Sequence, residues 1–309
     1  MNNPDPDADP LSAGDDIVAA FQIEDEPVRG RVVRLGPATV DAILRRHAYP
    51  DPVSALVGEA LALVALVGSS LKFEGKLIMQ AQGDGPVKFV VAEYRSPGAV
   101  RAYAHIEPDA LAALMAERPG EDFSAVELLG AGHFAMTIDQ GEDTDRYQGL
   151  VALEGPSLSD CAELYFEQSE QVPTRIKLAV GLVHMEGRSP EWRAGGALIQ
   201  RIAGDSNRGD TDDAWETASV LFSTIEAEEL VDPSLAAGEL LFRLYHEDGV
   251  RLHEAEPLEA ACTCTRERIV TLLKQFGSDT ADMIEPNGAI RVRCEYCNTS
   301  FEVAPDELT

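Results

Sequence analysis

The chain has 309 residues, of which 45% are hydrophobic, so it is long enough for one large domain and a smaller one. Its formal net charge of −29 repels phosphate backbones and argues against a nucleic-acid partner. The N-terminal residues contain no apolar leader, and we expect a cytoplasmic protein without a membrane anchor.

The N-terminal part of the chain divides into a tail and a large core domain. Residues 1–26 are rich in Asp and Pro and predict a flexible acidic tail and lead-in. Residues 27–205 are the predicted core, and their longest apolar stretch, 55–68, belongs to a helix that Asp51 and the following proline open. This stretch is shorter than the roughly 18 uninterrupted apolar residues of a membrane span, and Glu59 interrupts it. It therefore predicts a buried helix.

Short segments with the alternation typical of β-strands make up much of the core. They are GKLIMQAQ, PVKFVVAEY, AVRAYAHI, HFAMTIDQ, RYQGLVALE, TRIKLAVGLVH and GGALIQRIAG. The Asp-Gly pair within Gly83–Gly85 predicts a hairpin between the first two. These glycines lack the continuation of a phosphate-binding loop, so no nucleotide is expected. Sequential hairpins with interspersed helices predict an α+β fold, a largely antiparallel sheet with packed helices.

Residues 206–257 differ in composition, because acidic residues far outnumber basic ones. Apolar residues still recur at helical spacing in 215–225 and in 236–247. Isolated helices of this length are marginal in water, so these can form only where their apolar faces find a partner. The region predicts a helical linker that is folded conditionally.

Residues 258–309 form a small predicted domain that contains four of the five cysteines. A unit of this size rarely gains more than about 3 to 5 kcal/mol from its apolar core, so it needs a further cross-link. Cys262 and Cys264 form a C-x-C pair, and Cys294 and Cys297 form a C-x-x-C pair. Four thiolates at about 2.3 Å make a closed tetrahedral zinc site, which is the structural class. We expect one Zn²⁺ per chain at these four residues.

The same four sulfurs are candidates for redox chemistry. Zinc deprotonates its cysteine ligands and so holds them in the form that oxidants attack. If the two neighbouring pairs oxidised, no sulfur would remain an adequate ligand and the small domain would lose its cross-link. Spacing alone favours a purely structural site and leaves redox switching as the alternative. The fifth cysteine, Cys161, lies on the apolar side of a predicted helix and is expected to be a buried, inert thiol.

Several motifs along the chain point to a known family. The fragments CTCTRER and CEYCN, preceded by ELLFRLYHEDGV, resemble the C-terminal part of the 33 kDa chaperonin family, redox-regulated molecular chaperones of bacteria. The resemblance extends upstream through LKFEGKLIMQAQGDGPV, RYQGLVALEG, LYFEQSEQVPTRI and AGGALIQRIAG, in the family's order. It covers the chain from about Val28 to Val303.

The resemblance implies an ATP-independent holdase that is inactive while reduced and zinc-bound. Oxidation then converts the four ligands, Cys262, Cys264, Cys294 and Cys297, to two disulfides. On the same resemblance, zinc is released, the linker 206–257 unfolds, and the chaperone binds unfolding proteins, commonly as a homodimer. The acidic tail and a longer segment around 184–196 depart from the family pattern.

Two further hypotheses come from other functional classes. The first is a non-enzymatic adaptor with a purely structural four-cysteine zinc ribbon, in which zinc would resist mild oxidant. The second is a thiol oxidoreductase, which would need a thiol that turns over. No nucleophile elbow or other catalytic motif is present in the sequence, so we assign no catalytic residue and expect a protein that is not an enzyme.

Overall fold

The computed structural model describes residues 14–24, 26–71, 74–141, 144, 146–202 and 211–308. Residues 1–13 of the predicted tail and 206–210 of the predicted linker lie outside these ranges. The chain divides into two compact units, Met1–Ala260 and Ala261–Thr309.

The described part of the first unit contains twelve strands and eight α-helices. The strands are β1 (Ile17–Ile23), β2 (Val28–Leu35), β3 (Lys76–Gly83), β4 (Val87–Arg95), β5 (Ala99–Ile106), β6 (Gly132–Asp139), β7 (Tyr147–Ala152), β8 (Thr174–Val183), β9 (Glu191–Arg201), β10 (Val250–Leu252), β11 (Glu256–Pro257) and β12 (Glu259–Ala260). The helices are α1 (Ala42–Leu44), α2 (Asp51–Gly68), α3 (Pro108–Glu117), α4 (Ala125–Leu129), α5 (Leu158–Tyr165), α6 (Thr211–Ser223), α7 (Ala227–Val231) and α8 (Ala237–Tyr245).

The strands form two six-stranded sheets rather than one. Sheet 1 has the order β10-β1-β2-β9-β8, with β11 also paired to β1, and sheet 2 has the order β12-β5-β4-β3-β6-β7. All pairs are antiparallel except β12 with β5. The predicted hairpin is present, since β3 and β4 are joined through Asp84 and Gly85. The α+β class is confirmed.

Helix α2 lies in the core between the two sheets and contacts strands of both. Its apolar side chains face all directions around the helix axis, and Leu61, Leu63 and Leu66 are fully buried. A helix that is apolar all round must be buried in this way. By length and composition α2 could cross a membrane, but 78% of it is buried inside the protein, the position of a core helix.

Helices α6, α7 and α8, which belong to the predicted linker, pack on the face of sheet 1 opposite α2. Their buried residues include Phe222, Leu230 and Tyr245, which form one cluster with apolar residues of the sheet. Tyr245 stacks on Phe21 of β1 with ring centroids 6.3 Å apart. The linker helices therefore have the partner that their sequence requires.

Strand β1 lies within residues 1–26, which the sequence assigned to a flexible tail and lead-in. Val18, Phe21 and Ile23 are each 1% exposed, and β1 pairs with β2 on one side and with β10 and β11 on the other. The segment is short and follows an acidic stretch, so average composition conceals its apolar residues. The ordered fold therefore begins before Pro27.

The second unit is small. It contains α9 (Arg266–Phe276) and a two-stranded antiparallel sheet of β13 (Ile290–Arg293) and β14 (Ser300–Val303). Its buried apolar cluster consists of Ile269, Leu273, Ile290 and Val303. So few buried side chains cannot by themselves stabilise an independent unit.

Candidate metal centre

The four C-terminal cysteines come from two places in the second unit. Cys262 and Cys264 lie in the extended segment before α9, which begins after Thr265. Thr265 caps the helix by accepting a hydrogen bond from the Arg268 N–H at 3.3 Å. The C-x-C pair therefore ends directly before the residue that caps the helix.

Cys294 and Cys297 lie in the turn that joins β13 to β14. The Cys294 N–H donates to Thr299 O at 2.9 Å, and the Asn298 N–H donates to Cys294 O at 2.8 Å. Asn298 has a φ of 63°, in the left-handed region that Asn tolerates better than most residues. This tight turn places both sulfurs of the C-x-x-C pair on one side.

The structure brings the four predicted residues together. Their Sγ atoms all lie within 4.8 Å of one another. Cys262 Sγ is 3.7 Å from Cys294 Sγ, and Cys264 Sγ is 3.3 Å from Cys297 Sγ. Sulfurs at about 2.3 Å from a central ion would be about 3.8 Å apart in a regular tetrahedron. The four thiols therefore fit a metal ion, and they leave no position for a substrate.

The electrostatic environment differs among these thiols. Burial raises the pKa of Cys264 and also that of Cys294. Burial acts in the same direction on Cys297, but hydrogen bonds with Thr299, whose hydroxyl oxygen is 3.2 Å from Sγ, and with Cys264 and Cys294 outweigh it and lower the Cys297 pKa to about 6. Sequence reasoning missed Thr299; a hydroxyl residue two positions after the last cysteine was the available signal.

An exposed ion pair supports the second unit as well. The Arg266 guanidinium at the start of α9 donates to both carboxylate oxygens of Glu307, at 2.6 and 2.7 Å, and to the backbone oxygen of Glu302 at 3.1 Å. This bidentate contact ties the helix to the C-terminal turn. The hydrogen bonds from Arg266 lower the pKa of Glu307 to about 2.

The fifth cysteine does not belong to this group. Cys161 lies in α5 of the first unit, is fully buried, and has its Sγ 3.3 Å from the backbone oxygen of Glu154. Burial raises its pKa to about 11. Among the residues that the structure describes, no other group of three or more Cys, His, Asp or Glu side chains converges as the four cysteines do.

Comparison with known proteins places the chain in a family. The family profile described as Hsp33 protein matches residues 16–304. The 33 kDa chaperonin of Caulobacter vibrioides is 54% identical over 94% of this chain and 95% of its own length. That of Photorhabdus laumondii is 39% identical over 93% of both chains. The crystal structure of the 33 kDa chaperonin from Thermotoga maritima, 23% identical, superposes with a TM-score of 0.76 over 95% of this chain and 96% of that one. Two units, a convergent set of four cysteines and these matches together show that the chain belongs to the Hsp33 family of chaperones.

Proposed function

We propose that this chain is a redox-regulated holdase whose second unit is the sensor. The observation that carries the proposal is the convergence of Cys262, Cys264, Cys294 and Cys297 in a unit with four buried apolar residues. Because that unit has so small a core, its folding depends on the state of the four sulfurs. A change in their chemistry is then a change in the fold.

In the reduced state the four cysteines hold one Zn²⁺. The soft, four-thiolate donor set suits zinc, and the sulfur spacing suits its tetrahedral geometry. Bound zinc would keep the sulfurs as thiolates and would contribute on the order of 10 to 16 kcal/mol of apparent binding free energy, more than the small core could supply. In this state the protein is inactive.

Oxidation removes the ligands. Each pair of thiolates gives two electrons to a peroxide and forms one S–S bond, while the peroxide takes up two protons and leaves as two waters. We assign the bonds to Cys262 with Cys264 and to Cys294 with Cys297. Since all four sulfurs lie within 4.8 Å of one another, neither pair needs a large movement. Disulfide sulfurs are poor zinc ligands, so the second unit loses its cross-link and unfolds.

The linker 206–257 is the element that this unfolding releases. In the reduced state, which we call the closed state, α6, α7 and α8 bury their apolar faces against sheet 1. Their release exposes the apolar faces of the helices and of the sheet. Contiguous apolar surface of this kind binds unfolding proteins. The strongly acidic linker keeps the active form soluble.

The remaining features of the proposal rest on the family resemblance and on composition. The clients are unfolded or unfolding proteins, and the active form is a homodimer. Binding needs neither nucleotide nor catalysis, and the net charge of −29 disfavours nucleic acid. We place the protein in the cytoplasm, where a reducing environment maintains the thiolate form.

Zinc and free-thiol counts, measured beside an aggregation assay, test this function. Peroxide should remove one zinc and four thiols per chain, and the oxidised protein should lower the light scattering of a client that unfolds on heating. Proteolytic peptides that contain Cys262 with Cys264, or Cys294 with Cys297, should each be two mass units lighter. Oxidised, zinc-free protein that leaves scattering unchanged contradicts the proposal. Zinc that survives peroxide would instead favour a structural ribbon.

A further inference from the structure

Lys177, on β8 of sheet 1, donates hydrogen bonds to the end of a linker helix. Its Nζ donates to the backbone oxygen of Ser223 at 3.0 Å and to that of Ile225 at 3.1 Å. The last four carbonyls of an α-helix have no partner within the helix. Lys177 therefore donates, from the sheet, hydrogen bonds to carbonyl oxygens at and just beyond the C-terminus of α6.

Two buried arginines of sheet 1 do the same at the end of α7. Arg193 of β9 donates from Nε to the Val231 oxygen at 3.0 Å. Arg34 of β2 donates to the Asp232 oxygen at 2.5 Å and also to the backbone oxygen of Leu235. Arg34 is 5% exposed and Arg193 is 2% exposed, so both side chains are buried where they contact the linker.

Two carboxylates lie beside both arginines. Asp15 pairs with Arg193, and its Oδ1 is 3.6 Å from the Arg34 Nε. The carboxylate of Asp232, at the end of α7, also interacts electrostatically with both guanidinium groups. Cations at this position stabilise the negative end of the α7 helix dipole as well. The arginines are thus complementary to the docked linker.

The linker helices do not provide these charges themselves. The last turns of α6 and α7 contain no basic residue, whereas their first turns are acidic. Helix α8 is different, because Arg243 in its last turn donates to Glu239 at 2.6 Å within the same helix. The helices α6 and α7 therefore obtain C-terminal cations only by docking on sheet 1.

We propose that Lys177, Arg34 and Arg193 are positioning residues that hold the linker closed by capping α6 and α7. Helix formation and docking become one event, because an undocked helix loses its caps together with its apolar partner. In consequence these three side chains set how readily the linker opens. That consequence for activation rests on the proposed holdase function, while the capping itself does not.

Amide hydrogen exchange on the reduced, zinc-loaded full chain tests the capping. Lys177→Met removes the charge and keeps the apolar stem, and this partly exposed position tolerates it. We expect the amides of α6 to exchange about tenfold faster, the scale of a lost hydrogen bond to a charged group. Lys177→Arg should restore protection. The matched control is Lys88→Met, since the Lys88 Nζ also contacts a backbone oxygen, that of Asp84 at 3.5 Å, away from the linker.

Arg34→Gln and Arg193→Gln extend the test to α7. Protection of β3 to β6 reports whether the core of each variant is intact, and zinc content reports the state of its second unit. The Lys177 series decides the matter if a buried variant does not fold. The capping proposal is overturned if α6 exchanges equally in Lys177→Met and Lys88→Met.

Activity separates the two proposals. If the proposed function holds, Lys177→Met should need less peroxide than Lys88→Met for half-maximal suppression of client aggregation. If oxidised wild-type protein never suppresses aggregation, the holdase function fails. Faster α6 exchange in Lys177→Met would then still establish the caps.

Discussion

Gly195 of β9 lies against the backbone of Leu230 in α7, so closely that a Cβ atom at residue 195 would be 2.0 Å from the Leu230 oxygen. Because the obstacle is backbone, no side-chain rotation can relieve the clash. Gly181 of β8 also faces the linker, but a Cβ there would meet its nearest atom, Val231 Cγ2, at an ordinary 3.7 Å. The two glycines thus differ in whether docking of α7 depends on them.

Gly195→Ala should therefore loosen the linker in reduced protein. Overpacking of this kind typically costs about 1 to 3 kcal/mol, which here falls on the docked state alone. We expect faster amide exchange in α7 and increased binding of a hydrophobic dye, without loss of zinc. Gly181→Ala is the control, since it makes the same change in a neighbouring strand. Equal behaviour of the two variants would contradict the close-approach argument.

Removal of the metal should unfold the second unit and spare the core of the first. The cluster of Ile269, Leu273, Ile290 and Val303 is too small to replace a cross-link. A chelator added under reducing conditions should abolish amide protection in α9 but leave that of β3 to β6 unchanged. Serine at Cys262 and Cys264 should have the same effect, whereas Cys161→Ser should not. Persistence of α9 in metal-free, reduced protein would refute this dependence.

Glu59 of α2 should make the stability of the core depend on pH. Burial raises the pKa of its carboxyl to about 7, although a hydrogen bond from the Leu158 N–H acts the other way. A raised carboxyl pKa means that the folded state keeps the proton up to a higher pH than the unfolded state does. The contribution of the protonated form is fully present below about pH 4.5 and is lost as pH rises through about 7.

Glu59→Gln should remove this dependence. A shift from 4.5 to about 7 corresponds to about 3 kcal/mol at pH 8. We expect the variant to exceed wild type in free energy of unfolding at pH 8, and the difference to shrink toward pH 5. Urea titrations at several pH values measure it, with the exposed Glu117→Gln as control. A difference that does not change with pH would show that Glu59 is ionised in the folded core.

Cys161 should remain unmodified while the other thiols react. Its raised pKa of about 11 leaves almost no thiolate at pH 8, and its side chain is fully buried. Mass spectrometry after brief alkylation of reduced, metal-free protein should find four labels per chain and a fifth only in denaturant. Rapid labelling of Cys161 under native conditions would show that α5 opens far more often than its burial implies.

Local patterns predicted much of this structure. The segments assigned to β3 through β9 are strands, and the helix expected to open at Asp51 is α2. The four cysteines that the structure brings together could be named because C-x-C and C-x-x-C are themselves local signals. Helix α3 was not predicted, although Pro108 stands at its start; Leu111 is its one buried residue among those that the structure describes, so apolar periodicity does not mark it.

The contacts that sequence could not predict join distant parts of the chain. Arg34 bonds a backbone carbonyl 201 residues away at Leu235, and no spacing rule relates the two. The division into two sheets rather than one could not be predicted from the sequence either. The pattern of a strand indicates which face is buried but not which strands are its neighbours. Pairing of β1 with β10 depends on such long-range contacts.

If the linker opens as proposed, the short strands β10, β11 and β12 should set the order in which it detaches. They lie between the linker helices and residue 261, and they pair with β1 of sheet 1 and with β5 of sheet 2 at two or three residues each. Edge pairings this brief detach one after another once the chain beyond them is no longer held. On the proposed function, opening should therefore begin at the C-terminal end, with β12 first, β11 and β10 next, and α8 last. Activation should then be gradual and reversible, because each strand pairing can re-form beside one that is still in place.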